Sequence, residues 1–110
     1  MSLCDCDRPS IQSIMENNFC FNLRLEDFAE LCHCSLSTFK REFKVIYNES
    51  PGKWITKRRI RRAANLIANS NQSVTQIAFE TGFEDLSHFS RVFKQITGKN
   101  PTDYKKSVLN

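Results

Sequence analysis

Apolar residues recur along this chain at spacings of three and four, the period of a helix face. The longest run of strand formers, Val74–Phe79, sits inside such a pattern. The sequence therefore predicts an all-α chain of about seven helices. The first starts with Pro9 in its first turn and places Ile11, Ile14 and Met15 on one face. A second puts Leu25, Phe28, Leu31 and Cys32 on one face. Ser35 caps a third, which runs to about Tyr47. Ser50 followed by Pro51 opens a long helix reaching about Ala68, with Ile60, Ala63, Ala64 and Ile67 as its buried stripe. Ser73 and Gln76 form a capping box for a fifth helix, which Gly82 ends. Asp85 caps a sixth, and Asn100 with Pro101 opens a short last one.

The pattern occurs twice. "LSTFKREFK" at 36–44 returns as "LSHFSRVFK" at 86–94, so Ser37, Phe39, Arg41, Phe43 and Lys44 reappear 50 positions on. Ile46, Pro51 and Trp54 continue the match with Ile96, Pro101 and Tyr104. Upstream, Leu25, Phe28 and Ala29 match Val74, Ile77 and Ala78 at an offset of 49, so the second turn is one residue longer. Ala29 and Ala78 are small where two helices cross closely. Short helix, tight turn and amphipathic helix make a helix-turn-helix, here present as two subdomains joined by the long helix. The boundaries expected are a tail at 1–8, a first unit at 9–49, a linker helix at 50–69 and a second unit at 70–107. The opening Met-Ser-Leu looks like a cloning scar.

At about 100° per residue, Phe39, Phe43 and Ile46 form one stripe, and Ser37, Lys40, Arg41 and Lys44 gather opposite it. The second copy divides likewise, with Phe89, Phe93 and Ile96 inward and Ser87, Ser90, Arg91 and Lys94 outward. The apolar stripe is explained by packing alone. The outward face carries the chemistry. An Arg at the same place in both copies suits guanine in a major groove, and a Lys one turn further suits phosphate.

Charge strengthens this reading. Residues 1–34 carry two basic and six acidic groups, net −4; residues 35–70 carry nine and two, net +7; residues 71–110 carry five and four, net +1. A basic middle third suits a polyanion. The outer face of the long helix, Lys57, Arg58, Arg61 and Arg62, contributes general attraction, and direct DNA contact there stays open. No apolar run approaches membrane-spanning length, and no signal-peptide core precedes the first helix. An odd set of five cysteines, Cys4, Cys6, Cys20, Cys32 and Cys34, then points to reduced thiols in a cytoplasm. The two C-x-C pairs lack the usual spacing of zinc ligands, so no metal is expected, and Cys32 is read as a helix-core residue. No catalytic constellation surrounds His33 or His88, although Cys34 beside His33 leaves a reactive thiol as an alternative.

These residues resemble the AraC/XylS family of bacterial transcription regulators, in its DNA-binding domain. The marks are Ile77-Ala78, Gly82-Phe83, His88-Phe89, Arg91, Phe93-Lys94, Gly98, Pro101 and Tyr104. The long helix adds Trp54-Ile55, Arg59-Ile60, Ala63 and Leu66-Ile67, and the resemblance covers about residues 11–106. It implies that both recognition helices, about 35–47 and 85–97, enter the major groove. The family's base-contacting positions fall on Ser37, Lys40 and Arg41, and on Leu86, Ser87, Ser90 and Arg91. Three positions depart from the pattern. His33 stands where the family often has Gly, Arg24 stands at a cap, and Asn48 matches Gly98. The first unit is therefore expected to be the less rigid.

The duplication lets one chain read two groove segments without dimerising. Successive major-groove entries lie about 34 Å apart, and a helix of about 19 residues spans roughly 28 Å. Lys44 and Lys94 are expected on phosphates. Ser50, Asn100 and Thr102 join them, at helix starts where free N–H groups attract anions, although a good helix start is explanation enough. The partners expected are double-stranded DNA and RNA polymerase, with no cofactor and no membrane. The isolated domain is expected to be a monomer, with a sensor or dimerisation domain lying outside this chain. The competing function is a protein-interaction module touching RNA polymerase whose DNA binding has degenerated; it need not keep Arg41, Arg91, Lys44 and Lys94 on open faces.

Overall fold

The computed structural model describes residues 10–109. Seven helices and no strand occur among them: α1 Ile11–Asn18, α2 Leu25–Leu31, α3 Leu36–Tyr47, α4 Pro51–Asn69, α5 Val74–Glu80, α6 Leu86–Thr97 and α7 Pro101–Leu109. Their starts follow the polar residues before them. Ser10, Ser35 and Ser73 accept the amides of Ser13, Thr38 and Gln76 at 3.0, 3.2 and 3.1 Å, and Asp85 accepts that of Ser87 at 2.9 Å. Because Ser10 is the cap, α1 begins after the position expected for Pro9 in a first turn. Pro9 itself, the opening tail, Cys4 and Cys6 lie outside the described residues.

Packing divides the chain into two compact units. Of the described residues, unit 1 holds 10–19 and 23–55, and unit 2 holds 20–22 and 56–109. The division falls within α4, whose Trp54 and Ile55 belong to the first core and whose Ile60, Ala63 and Ile67 belong to the second.

Unit 1 closes around Met15, Phe28, Cys32, Phe39 and Phe43, all fully buried. Phe43 meets Phe39 at 5.7 Å and Trp54 at 5.9 Å between ring centroids. Unit 2 repeats the arrangement, with Phe93 at 5.6 Å from Phe89 and 5.4 Å from Tyr104. Aromatic pairs at these separations add to their burial. The repeat seen in the sequence is thus a repeat of core geometry.

Two expectations about the core need correction. Ile46 and Ile96 are 41% and 44% exposed, so they do not belong to the inward stripe. Val92 is buried in unit 2, and Tyr47 packs against the unit 1 core. The cause is which side of the last turn a neighbour covers: on α3, Trp54 stands 4.9 Å from Tyr47 and leaves Ile46 open. Leu31, 40% exposed, likewise leaves the face expected of it, while Cys32 one position on is fully buried.

The helix-turn-helix turns match bond for bond. The Cys34 and Phe83 amides reach back to the Ala29 and Ala78 carbonyls, each at 3.1 Å. His33 (φ 59°) and Gly82 (φ 102°) are the left-handed residues that allow this. Four residues separate α2 from α3, and five separate α5 from α6. Asn48 (φ 58°) and Gly98 (φ 88°) end the recognition helices in the same way. At α2 the Arg24 side chain forms no cap. The Asp27 carboxylate instead accepts the Arg24 amide at 3.0 Å, so this start is closed from within the helix. The reverse holds at Ser73, which caps α5 directly without the return bond of a full capping box.

Candidate nucleic-acid interface

Each recognition helix sorts its side chains by face. On α3, Ser37, Lys40, Arg41 and Lys44 are exposed while Phe39 and Phe43 are buried. On α6, Leu86, Ser87, Arg91 and Lys94 are exposed, Ser90 is half-buried, and Phe89, Val92 and Phe93 are buried. Within each unit, the residues expected to meet bases thus share one open face with the Lys a turn further on. Left-handed backbone ends both helices directly after this basic turn, where Lys44 and Lys94 also oppose the negative end of the helix dipole. The copies differ at outward places, with Lys40 matched by Ser90, Thr38 by His88 and Val45 by Gln95. His88 stands edge-on to Phe83 at 5.9 Å, which ties the start of α6 to the turn before it.

The helix starts expected to hold phosphate are partly occupied. The Ser50 hydroxyl accepts the Lys53 amide at 3.4 Å, and Asn100 Oδ1 accepts the Asp103 amide at 2.8 Å. Proline supplies no N–H at the first position of either helix. The second-position amides of Gly52 and Thr102 therefore remain to face a ligand at each start. Each start is flanked by one acid and one base, Glu49 and Lys53 at α4 and Lys99 and Asp103 at α7.

Sequence reasoning also passed over the centre of unit 2. Arg59 lies amid a run of basic residues, and its guanidinium points inward. Its Nη2 donates to the Phe21 carbonyl at 2.8 Å, and it lies 6.0 Å from the centre of the Phe83 ring. Burial holds its pKa below the ordinary arginine value. Burial likewise raises the Cys20 thiol, against the pull of Arg62, Arg59 and Arg58. That keeps Cys20 protonated and poorly nucleophilic. Asn22 donates to the Glu84 carboxylate beside them. A Cβ on Gly82 would stand 2.7 Å from the Cys20 carbonyl and 2.9 Å from Arg59 Nε. Gly82 is therefore fixed by close approach as well as by its positive φ. The neighbours in conflict, Arg59 and Cys20, are 23 and 62 positions away in sequence, so no local pattern announces them.

Among the described residues no three His, Cys, Asp or Glu side chains come together to hold a metal, and Cys20, Cys32 and Cys34 form no disulfide. Among them, too, no helix is long and apolar enough to cross a membrane.

Residues 28–107 match the family described as "Helix-turn-helix domain". The chain belongs to this family, in its AraC type. An uncharacterized HTH-type transcriptional regulator of Haemophilus influenzae is 42% identical over 84 residues, which is 76% of this chain and 28% of that protein. The thermoregulatory protein LcrF of Yersinia pestis is 36% identical over 105 residues, 94% of this chain and 39% of its own. The chain thus spans well under half the length of these relatives. Among solved AraC-type structures, the C-terminal domain of AraT, a response regulator from Geobacillus stearothermophilus, superposes with a TM-score of 0.79 at 28% identity. That match covers 88% of this chain and 80% of the other. The DNA-binding domain of AdpA, solved in complex with a target DNA, shares the fold at a TM-score of 0.83 and 23% identity, covering 88% of this chain and 87% of that one.

Proposed function

We propose that this chain is the sequence-specific DNA-binding domain of a bacterial transcription regulator. It presents α3 and α6 to successive major grooves of one duplex. The observation that carries this is the doubled outward face, with Arg41 and Lys44 on α3 and Arg91 and Lys94 on α6, exposed in equivalent positions over equivalent cores. An accident of solvation would not repeat residue for residue. Arg41 and Arg91 read guanine edges, Leu86 offers an apolar contact for a thymine methyl, and Ser37, Lys40, Ser87 and Ser90 complete the base-facing sets. Lys44 and Lys94 hold phosphates, joined by Ser50 and the Gly52 amide at the start of α4. Asn100 and Thr102 do the same at the start of α7.

In this reading residues 9–49 and 70–107 are the two readers and 50–69 spans between them. The chain acts as a monomer in the cytoplasm without catalytic chemistry, and the rest of the regulator senses and dimerises. RNA polymerase is the protein partner. Family membership, a set of relatives described as transcriptional regulators, and a neighbour solved on DNA all support the reading.

Selection of bound duplexes from a random library, with this chain as bait, tests it. The expected result is one site with two conserved blocks about one helical turn apart. Recovery of no preferred sequence would leave the polymerase-contact module as the better account.

A further inference from the structure

Residues 20–22 follow α1 in sequence, yet they belong to unit 2. There they lie as a short strap on the turn between α5 and α6. The Cys20 carbonyl closes on Gly82, 2.7 Å from where a Cβ would stand. Asn22 donates to the carboxylate of Glu84, two residues further along the same turn. Arg59 of α4 ties the middle of the strap, its Nη2 donating to the Phe21 carbonyl at 2.8 Å. Its Nε also lies 2.9 Å from the Cβ position of Gly82, and its guanidinium 6.0 Å from the centre of the Phe83 ring. One side chain thus touches both the strap and the turn. The turn in turn grips the recognition helix, since Phe83 packs edge-on against Phe89 of α6 at 5.1 Å and against His88 at 5.9 Å.

A cation turned inward is unfavourable unless specific contacts offset it. Burial opposes the charge on Arg59, whereas Arg61 and Arg62 further along α4 stand exposed. A guanidinium supplies what an apolar side chain of the same length cannot. It is a charged donor for a carbonyl and a flat face for a ring, held in one plane. In a helix-turn-helix the turn sets the angle at which the recognition helix leaves the first helix. A side chain that reads a base edge has to be held to within about 0.5 Å. Whatever fixes Gly82 and Phe83 therefore fixes where Ser87, Ser90 and Arg91 arrive.

We propose that Arg59 is a positioning residue for the second reader: it holds the 20–22 strap on the α5–α6 turn and so sets how α6 enters the groove. The proposal rests on the DNA-binding reading above. It sets Arg59 apart from the basic run around it, because Arg59 acts through the turn and not on a phosphate. Base discrimination by α6 depends on it, and the salt dependence of binding does not.

The test compares the chain and its variants on the duplex the chain selects and on duplexes altered one base pair at a time, at several salt concentrations. The α6 block is the one that Arg91→Ala relaxes. Arg59→Met should lose about tenfold in discrimination within that block, in the range that one well-placed base contact is worth, and none in the α3 block. Its slope of log affinity against log salt should match that of the unaltered chain. Arg59→Lys, which keeps a donor for the Phe21 carbonyl, should recover part of the loss. Asn22→Ala removes the strap's tie to Glu84, where both side chains are exposed, and should show a smaller loss in the same block. Discrimination that falls equally in both blocks overturns the proposal, because general loosening does that. A slope shallower by about one unit with discrimination intact also overturns it, as the mark of a lost phosphate contact. Unchanged discrimination in the α6 block overturns it too, with Asn22→Ala deciding if Arg59→Met does not fold. An unaltered chain that selects no sequence would instead sink the DNA-binding reading itself.

Discussion

In the proposed reading, base recognition turns on Arg41 and Arg91. Both are exposed, and both lie four residues after a small serine, Ser37 or Ser87, that would let the helix sink into a groove. Arg41→Ala and Arg91→Ala should each cost about 1–3 kcal/mol in binding and relax specificity at one base pair. Repeating the random-library selection with each variant checks this, and the two relaxed positions should lie about 10 base pairs apart. Chemical denaturation should change by less than about 0.5 kcal/mol, since neither side chain touches a core. The turn residues behave differently. Gly82→Ala places a Cβ against the Cys20 backbone carbonyl and forces alanine to a φ of 102°. It should lower the stability of unit 2 by several kcal/mol, above the roughly 1–2 kcal/mol of left-handed strain alone. His33→Gly relieves a left-handed side chain and should raise stability by up to about 1 kcal/mol. Urea midpoints of the two variants should move in opposite directions.

The helices are set by their ends more than by their interiors. Four of the described starts have a Ser or Asp accepting an amide of the first turn, and two more begin with proline after such a cap. Ser73→Ala should therefore cost about 1 kcal/mol, visible as a drop in thermal midpoint. The α2 start needs a different probe, because Asp27 and not Arg24 closes it. Asp27→Ala should destabilise unit 1, while Arg24→Ala should leave it nearly unchanged. That result would remove the sequence-derived reason for treating the first reader as the looser one. On the last turn of the recognition helices Ile46 and Ile96 stay open, although Tyr47 beside Ile46 meets Trp54. A periodic stripe marks which side of a helix is apolar, and only the neighbouring elements decide how far along it is covered.

For the whole chain, the proposed reading has the internal repeat stand in for a dimer axis. One chain should protect about two helical turns of duplex, and footprints should not require a second copy at a single site. Affinity should fall linearly in log salt as phosphate contacts displace counterions. Lys44→Ala and Lys94→Ala should shallow that slope by about one unit each and weaken all sequences alike, which separates them from the arginine variants. A salt-independent affinity would contradict the entire placement of charge.

Much of this protein was legible in its order of residues. The helices, the two left-handed turns at His33 and Gly82, and the doubled face all follow from spacing of three and four and from residues whose backbone preferences are local. The family marks follow as well, because they are the same core and turn positions. The cores themselves needed the fold. Whether Ile96 or Val92 is buried depends on which side of α6 a neighbour covers, and that is settled by packing across tens of residues. So is the role of Arg59, which composition assigns to the basic surface and which tertiary structure turns inward to the Phe21 carbonyl. The requirement for glycine at position 82 was readable as a turn. Its second cause, a backbone carbonyl 2.7 Å from where a side chain would begin, exists only once residues 20, 59 and 82 have been brought together.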